Sequence, residues 1–313
     1  MALSFRLLIR PSVKSSQAKP APKSTSLETI DAYIEEQMGH LHIPGLSLAI
    51  VEGDRIAHLR GFGRAHPNGV APDHRTPFFI GSLTKSFTAL AVMQLVEAGK
   101  VDLDAPVQRY LPWFRVSDPQ ASTQITVRHL LYQTSGIPGS RGLADLGNLD
   151  GRPGATERQV RDLAAVRLKH PAGSKFEYNN TNYNILGLII ESVSGESYAA
   201  YIQKHIFSPL EMGHSYHSKV DAQQNGLATG HRYWFGFPIP TTNLITPLAS
   251  LPSGQLISCA EDMAHYLIAN LNDGSYRGAQ ILSAAGMADL HRGVAEIREM
   301  GLSIGHYGMG WWS

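Results

Sequence analysis

Apolar residues recur at Leu27, Ile30, Ile34 and Met38, the spacing of one face of an α-helix. Thr25, followed three residues later by Glu28, supplies a capping box for its start. The period then changes. Gly45 to Val51 is an apolar run, Glu52-Gly53-Asp54 reads as a turn, and Arg55 to Gly61 resumes the pattern, which predicts a β-hairpin over 45–61. From Ser82 to Gly99 apolar positions (Phe87, Leu90, Val92, Met93, Leu95 among them) surround the helix almost completely. That predicts a buried rod ending at a C′ glycine, Gly99. Shorter helices are predicted at about 127–133, 157–168, 181–194 and 198–205. A further one, capped by Ser258 and Glu261, runs to about Leu271. Strands toward the ends of the chain with helices between them give an α+β class rather than a doubly wound one.

Composition narrows the partners. The 313 residues, 43% hydrophobic and 17% charged, suit one large domain or two closely packed lobes. A net charge of +1 gives nucleic acid and anionic lipid no electrostatic advantage. Cys259 is the single cysteine, so neither an intrachain disulfide framework nor a multi-cysteine metal site is available. No apolar run reaches the ~20 residues of a membrane span. Residues 1–26 carry Arg6, Arg10, Lys14, Lys19 and Lys23 and no acid. Arg6 and Arg10 flank Leu7-Leu8-Ile9, so the unbroken apolar segment of a secretory signal is missing. The segment reads as a disordered leader in preference to a transit peptide.

The chemistry concentrates in two stretches. Ser82-Leu83-Thr84-Lys85 places a hydroxyl and an amine one helical turn apart, directly before the most apolar helix. A serine hydroxyl is a weak nucleophile and needs such a neighbouring base. Gly81 permits an unusual turn into the helix, and a helix start directs free N–H groups and the positive dipole end toward Ser82, whose own N–H is the natural first oxyanion donor. Tyr178-Asn179-Asn180 lies 96 positions beyond Ser82. Tyr178 is the candidate general base, as a phenolate or through proton sharing with Lys85, whose ammonium would lower the phenol toward neutral pH. Asn180 offers a donor and an acceptor for the acyl part of a substrate. Ser16-Gln17-Ala18-Lys19 fits the first pattern by letter, but no apolar helix follows it.

The segment Phe79 to Leu90 (FIGSLTKSFTAL) resembles the first motif of the serine β-lactamase-related superfamily. That group comprises class C β-lactamases, low-molecular-weight penicillin-binding proteins and family VIII carboxylesterases. Gly99–Pro112, Ile125–Ile137, Tyr178–Ile190, Leu256–Leu267 and Tyr307–Trp311 are similar to its other characteristic stretches. The resemblance implies an antiparallel sheet flanked by helices, an all-helical lobe over about 82–250, and one hydrolase domain over 27–313. It implies the roles of nucleophile for Ser82, proton shuttle for Lys85, base for Tyr178 and substrate anchor for Asn180, with Lys85 and Tyr178 acting as a coupled pair. It implies a small-molecule or peptide substrate (an ester, a D-Ala-terminated peptide or a β-lactam), no cofactor, no metal and an exported protein. The oligomeric state and compartment stay open. The family's third motif, Lys-x-Gly or His-x-Gly, follows the stretch that Tyr307–Trp311 resembles, and the chain ends there. The expectation is therefore a chain whose last strands are missing, and whose activity stays open. His291-Arg292-Gly293 and His306-Tyr307-Gly308 fit that motif by letter but not by place.

Smaller signals are assigned structurally. His40-Leu41-His42 reads as a loop between helix and strand, and Glu261, Asp262 and His265 as helix capping plus surface. His231 to Phe237 is aromatic and either lines an acyl pocket or packs under a turn. Gly-x-Ser-x-Gly, P-loop and dinucleotide fingerprints are absent. The rival to an acyl-enzyme hydrolase is a penicillin-binding or assembly protein that keeps the fold without efficient turnover.

Overall fold

The predicted rod is the centre of the molecule. The computed structural model describes residues 24–241, 246–299 and 302–313, and the side chains of 24–26 lie outside that description. The leader and the Ser16–Lys19 pattern fall outside it as well.

Helix α1 (Ser24–Leu41) leads into the antiparallel hairpin of β1 (Gly45–Glu52) and β2 (Arg55–Gly63), with Gly45 opposite Gly63 and a bulge at Ile50/Val51. Asp31 of α1 clamps the helix to the hairpin: it accepts from His58 Nε2 at 2.9 Å and Arg60 Nη1 at 2.5 Å. Strand β3 (Phe78–Phe79) passes through a single 3₁₀ turn, Gly81–Leu83, into α2 (Thr84–Glu97). Helices α3 (Pro119–Gln124), α4 (Val127–Leu131), α5 (Gly139–Asp145), α6 (Ala155–Arg161), α7 (Asn180–Ser194), α8 (Tyr198–Ile202) and α9 (Lys219–Gln224) follow. Then come β4 (Gly230–Trp234), β5 (Phe237–Thr241), α10 (Leu251–Gly254), β6 (Ile257–Ser258) and α11 (Ala260–Leu271). The chain closes with β7 (Ser275–Tyr276), β8 (Ala279–Gln280), α12 (Ala284–His291), β9 (Ala295–Glu299) and β10 (Leu302–Tyr307). All strand pairing among the described residues is antiparallel, in five two-stranded units. None of the described helices is long and apolar enough to cross a membrane.

The core is where the sequence is most apolar. Thr84 to Met93 of α2 and Thr181 to Ile190 of α7 are buried without a break, and the two helices pack on each other. Phe87 is fully buried, stacked on Tyr266 of α11 at 4.1 Å between ring centroids and edge-on to Phe207. Each such side chain contributes about 1.5–3 kcal/mol.

Several expectations need correction. Helix α1 begins at Ser24, ahead of the expected Leu27, and the Thr25 side chain of the proposed capping box lies outside the described residues. The uninterrupted helical stretch ends at Gln224, not near 250, because Gly230–Thr241 forms the β4–β5 hairpin. The turn of that hairpin is Phe235-Gly236, both at positive φ. Its aromatic residues do not pack under a turn. Tyr233, Trp234, Phe235 and Phe237 are exposed, the Tyr233 hydroxyl donates to the His42 carbonyl, and Phe237 lies against the His42 ring. His40 belongs to the last turn of α1, and only His42, at φ +52°, is in the connection. Helix α6 stops at Arg161 and gives way to a 3₁₀ turn, Asp162–Ala165, short of Leu168. Helix α11 is capped by Cys259, whose sulfur accepts the Asp262 N–H, while Ser258 pairs in β6 and Glu261 binds Arg75. Asp262 is buried, contrary to its reading as surface.

Candidate active site

Gly81 sets the geometry around Ser82. Its φ of +55° is left-handed, which lets β3 turn abruptly into α2 and leaves Ser82 exposed at the tip of the rod. No atom lies within 4 Å of a Cβ placed there, so the cost of a side chain is conformational alone. Gly81→Ala is expected to lower stability by about 1–2 kcal/mol, read from the urea midpoint.

Lys85 is buried, and its amine is held by three oxygens. Nζ donates to the Ser253 carbonyl at 2.6 Å, to Asn180 Oδ1 at 2.8 Å and to Ser82 Oγ at 3.3 Å. Burial drives its pKa from 10.5 down to about 7. The expected one-turn proximity of Ser82 and Lys85 is therefore present, and the amine is poised between its two protonation states at neutral pH.

Tyr178 completes the cluster. Lys85 Nζ stands over its ring, 4.8 Å from the centroid. Burial raises the phenol above its ordinary value, and the nearby Ser82 side chain offsets only part of this. The expected lowering of Tyr178 is thus reversed. The amine faces the ring rather than the hydroxyl, and desolvation outweighs it. Burial thus favours the protonated form of the phenol and the neutral form of the Lys85 amine.

The two asparagines divide their work. Asn179 caps α7 by accepting the Thr181 N–H at 2.8 Å and donates from Nδ2 to Ile137 and Pro138 carbonyls. Asn180, the first residue of α7, turns its Oδ1 to Lys85 and its Nδ2 to the Gly142 carbonyl at 3.4 Å. Gln133, at φ +60°, ties this loop down by accepting from Asn179 N–H and Asn182 Nδ2 and from the Glu177 N–H.

Sequence reasoning missed two supports. The first is α10. Thr84, Lys85 and Thr88 of α2 bond respectively to the Leu256 N–H and the Ser253 and Pro252 carbonyls, so the segment acts through its main chain. The second is the C-terminal segment. Tyr307 and Trp312 pack on Tyr178 with centroids 6.4 and 6.3 Å away. Gly310, at φ +84°, lies against α2, where an added Cβ would sit 2.9 Å from the Lys85 carbonyl oxygen and from the Ser86 backbone. Neither backbone can yield. Gly310→Ala is therefore expected to cost about 3 kcal/mol, more than Gly81→Ala, with the difference read from paired urea midpoints.

The two histidines that match the third motif by letter are occupied elsewhere. His291 Nε2 bonds to Asn270 and its ring meets Trp311 edge-on, and His306 is exposed on β10 beside the buried Tyr307. Two cavities of about 340 and 280 Å³ lie away from the cluster, and neither is lined by Ser82, Lys85, Tyr178 or Asn180.

Comparison with known proteins identifies the family. The chain is 32% identical to Protein flp of Staphylococcus aureus (strain MW2), over 79% of this chain and 49% of that protein. It is 34% identical to Penicillin-binding protein 4 of Amycolatopsis lactamdurans, over 81% of this chain and 66% of the relative. The chain thus spans about half the length of the Flp relatives. Among solved structures, the octameric penicillin-binding protein homologue from Pyrococcus abyssi superposes with a TM-score of 0.78 at 30% identity, covering 91% of this chain and 64% of that one. The sequence pattern of the family described as Beta-lactamase matches residues 30–313. The chain belongs to the beta-lactamase family.

Proposed function

We propose that this protein is a serine hydrolase that forms an acyl-enzyme on Ser82, with an ester, a D-Ala-terminated peptide or a β-lactam as substrate. The observation that carries the reading is the buried Lys85 amine, at about pKa 7 and 3.3 Å from the Ser82 hydroxyl. Neutral Lys85 takes the Ser82 proton as Oγ bonds to the substrate carbonyl carbon. The Ser82 N–H at the helix start steadies the resulting oxyanion. As the carbonyl carbon releases the leaving group, Tyr178 gives that group its proton and is reprotonated from Lys85. Water then hydrolyses the ester on Ser82 by the same proton route in reverse. Asn180 keeps the Lys85 amine in place and presents its Nδ2 to the acyl part of the substrate.

A penicillin-binding protein among the relatives supports β-lactam recognition, and it suits the rival reading of a protein that acylates without efficient turnover. The test is intact-mass and peptide analysis after incubation with benzylpenicillin, alongside a stopped-flow trace of p-nitrophenyl butyrate hydrolysis. A burst followed by steady turnover supports the hydrolase. A stable adduct on the Ser82 peptide without turnover supports the binder. Folded protein that gives neither adduct nor burst removes both readings.

A further inference from the structure

Outside the Ser82 cluster, one group of side chains has an arrangement that helix capping does not require. His214, Cys259 and Asp262 each bring a ligand-type atom into a space where all three lie within 4.8 Å of one another. Cys259 and Asp262 are buried at the first turn of α11, and the His214 side chain is 38% exposed, so the group has a solvent-facing mouth. We propose that His214, Cys259 and Asp262 form a three-ligand site for a thiophilic divalent cation, zinc being the best match, with water as the fourth ligand.

Three observations support the assignment. The donor set is one imidazole nitrogen, one sulfur and one carboxylate oxygen. Magnesium and calcium prefer oxygen alone, while zinc accepts all three donors in a tetrahedron. Burial and the Asp262 carboxylate push the free Cys259 thiol up to about 12, so the ion would displace its proton, and the resulting thiolate and carboxylate together would match the charge of a divalent ion. The surrounding hydrogen bonds are also those that orient ligands. Asp262 Oδ2 accepts from the His214 N–H at 2.8 Å and from Ser215 Oγ at 2.7 Å, which leaves Oδ1 facing His214 Nδ1 at 3.8 Å. The Asp262 N–H points at Cys259 Sγ at 3.4 Å, and Ser215 Oγ is braced by Ser258 Oγ at 2.8 Å. Zinc-to-ligand bonds of about 2.0–2.3 Å require the donors to close in from this spacing, and the His214 ring, 38% exposed, is free to swing inward.

The place in the fold gives the site a structural purpose. Tyr216 pairs with Ile257 of β6, β6 pairs with β3, and β3 runs directly into Gly81 and Ser82. An ion bridging His214 to the start of α11 would clamp the 214–216 segment to β6, the partner of the strand that leads to Ser82. The sequence reading assigned no metal, because a lone cysteine with a histidine 45 positions before it carries no metal-binding spacing (259 − 214).

The test uses the whole chain after treatment with chelator and dialysis, titrated with Co²⁺ and then Zn²⁺. The expected result is one equivalent of Co²⁺ with a thiolate-to-cobalt charge-transfer band and tetrahedral ligand-field bands, both removed by Zn²⁺. Zinc at a hundredfold excess over its Kd should raise the melting temperature by about 3 °C or more. His214→Ala changes only a half-exposed side chain and should weaken binding about tenfold or more, and Cys259→Ser should abolish the charge-transfer band. Cobalt binding without a thiolate band would place the ion at other histidines and overturn the proposal. So would no binding at all, or an unchanged affinity in folded His214→Ala.

Discussion

Ser82→Ala is expected to eliminate both the covalent adduct with benzylpenicillin and the burst with p-nitrophenyl butyrate, and to lower steady-state hydrolysis about 10³-fold or more. The argument rests on what the substitution leaves alone. Ser82 is exposed, its Oγ makes the longest of the three Lys85 contacts at 3.3 Å, and the 3₁₀ turn depends on Gly81 rather than on the hydroxyl. Stability should therefore stay within about 0.5 kcal/mol of the native protein, as for an ordinary surface change. A folded mutant that still hydrolyses the ester at the native rate would show that the nucleophile lies elsewhere, and one that unfolds would overturn the stability expectation.

Lys85→Met should lower kcat/KM by about 10³-fold at neutral pH, within the range that a positioned base supplies. The native enzyme should lose about tenfold per pH unit below pH 7, because the amine titrates near 7 and its protonated form cannot accept the Ser82 proton. Residual activity of the mutant should lack that acid limb. Stability gives a second readout. The folded-state pKa lies below the unfolded value of 10.5. Below about pH 7 both states bind the proton, so the pH has no effect through this group. Between about 7 and 10.5 only the unfolded state binds it, and native stability rises with pH. Relative to Lys85→Met, the native protein should gain about 2 kcal/mol between pH 7 and pH 9. Denaturant midpoints at the two pH values measure it, and a flat difference would mean that Lys85 remains an ammonium in the folded state.

Legibility from the sequence followed the kind of force involved. Helix α2 was readable to within two residues because nearly every position from Thr84 to Leu95 is buried, and the composition records that burial. The β1–β2 hairpin was readable because its turn, Glu52-Gly53-Asp54, lies between two runs of strand-forming residues. Ser82, Lys85 and Asn180 come together as their side-chain chemistry suggested. The rest was hidden because it is done by backbone. The Ser253 carbonyl grips Lys85, and nothing about a serine in Leu-Pro-Ser-Gly announces that. Asn180 was assigned to the substrate, yet its Oδ1 is given to the lysine. The direction of the Tyr178 shift was not legible because it depends on burial, a three-dimensional quantity, more than on the proximity of an amine. The cap of α11 was assigned one residue early, to Ser258, because a serine is the commoner cap and the cysteine that serves instead carries a weaker acceptor.

Trp312 leans on Tyr178 and Tyr307 and is 53% exposed. An indole half in water and half against the Tyr178 ring gives the protein its own optical gauge. Emission from that ring would move to shorter wavelength as an acyl group displaced solvent beside it. With Trp113, Trp234 and Trp311 replaced by phenylalanine, one tryptophan would remain to follow loading and clearing of the serine in real time, with no chromogenic substrate.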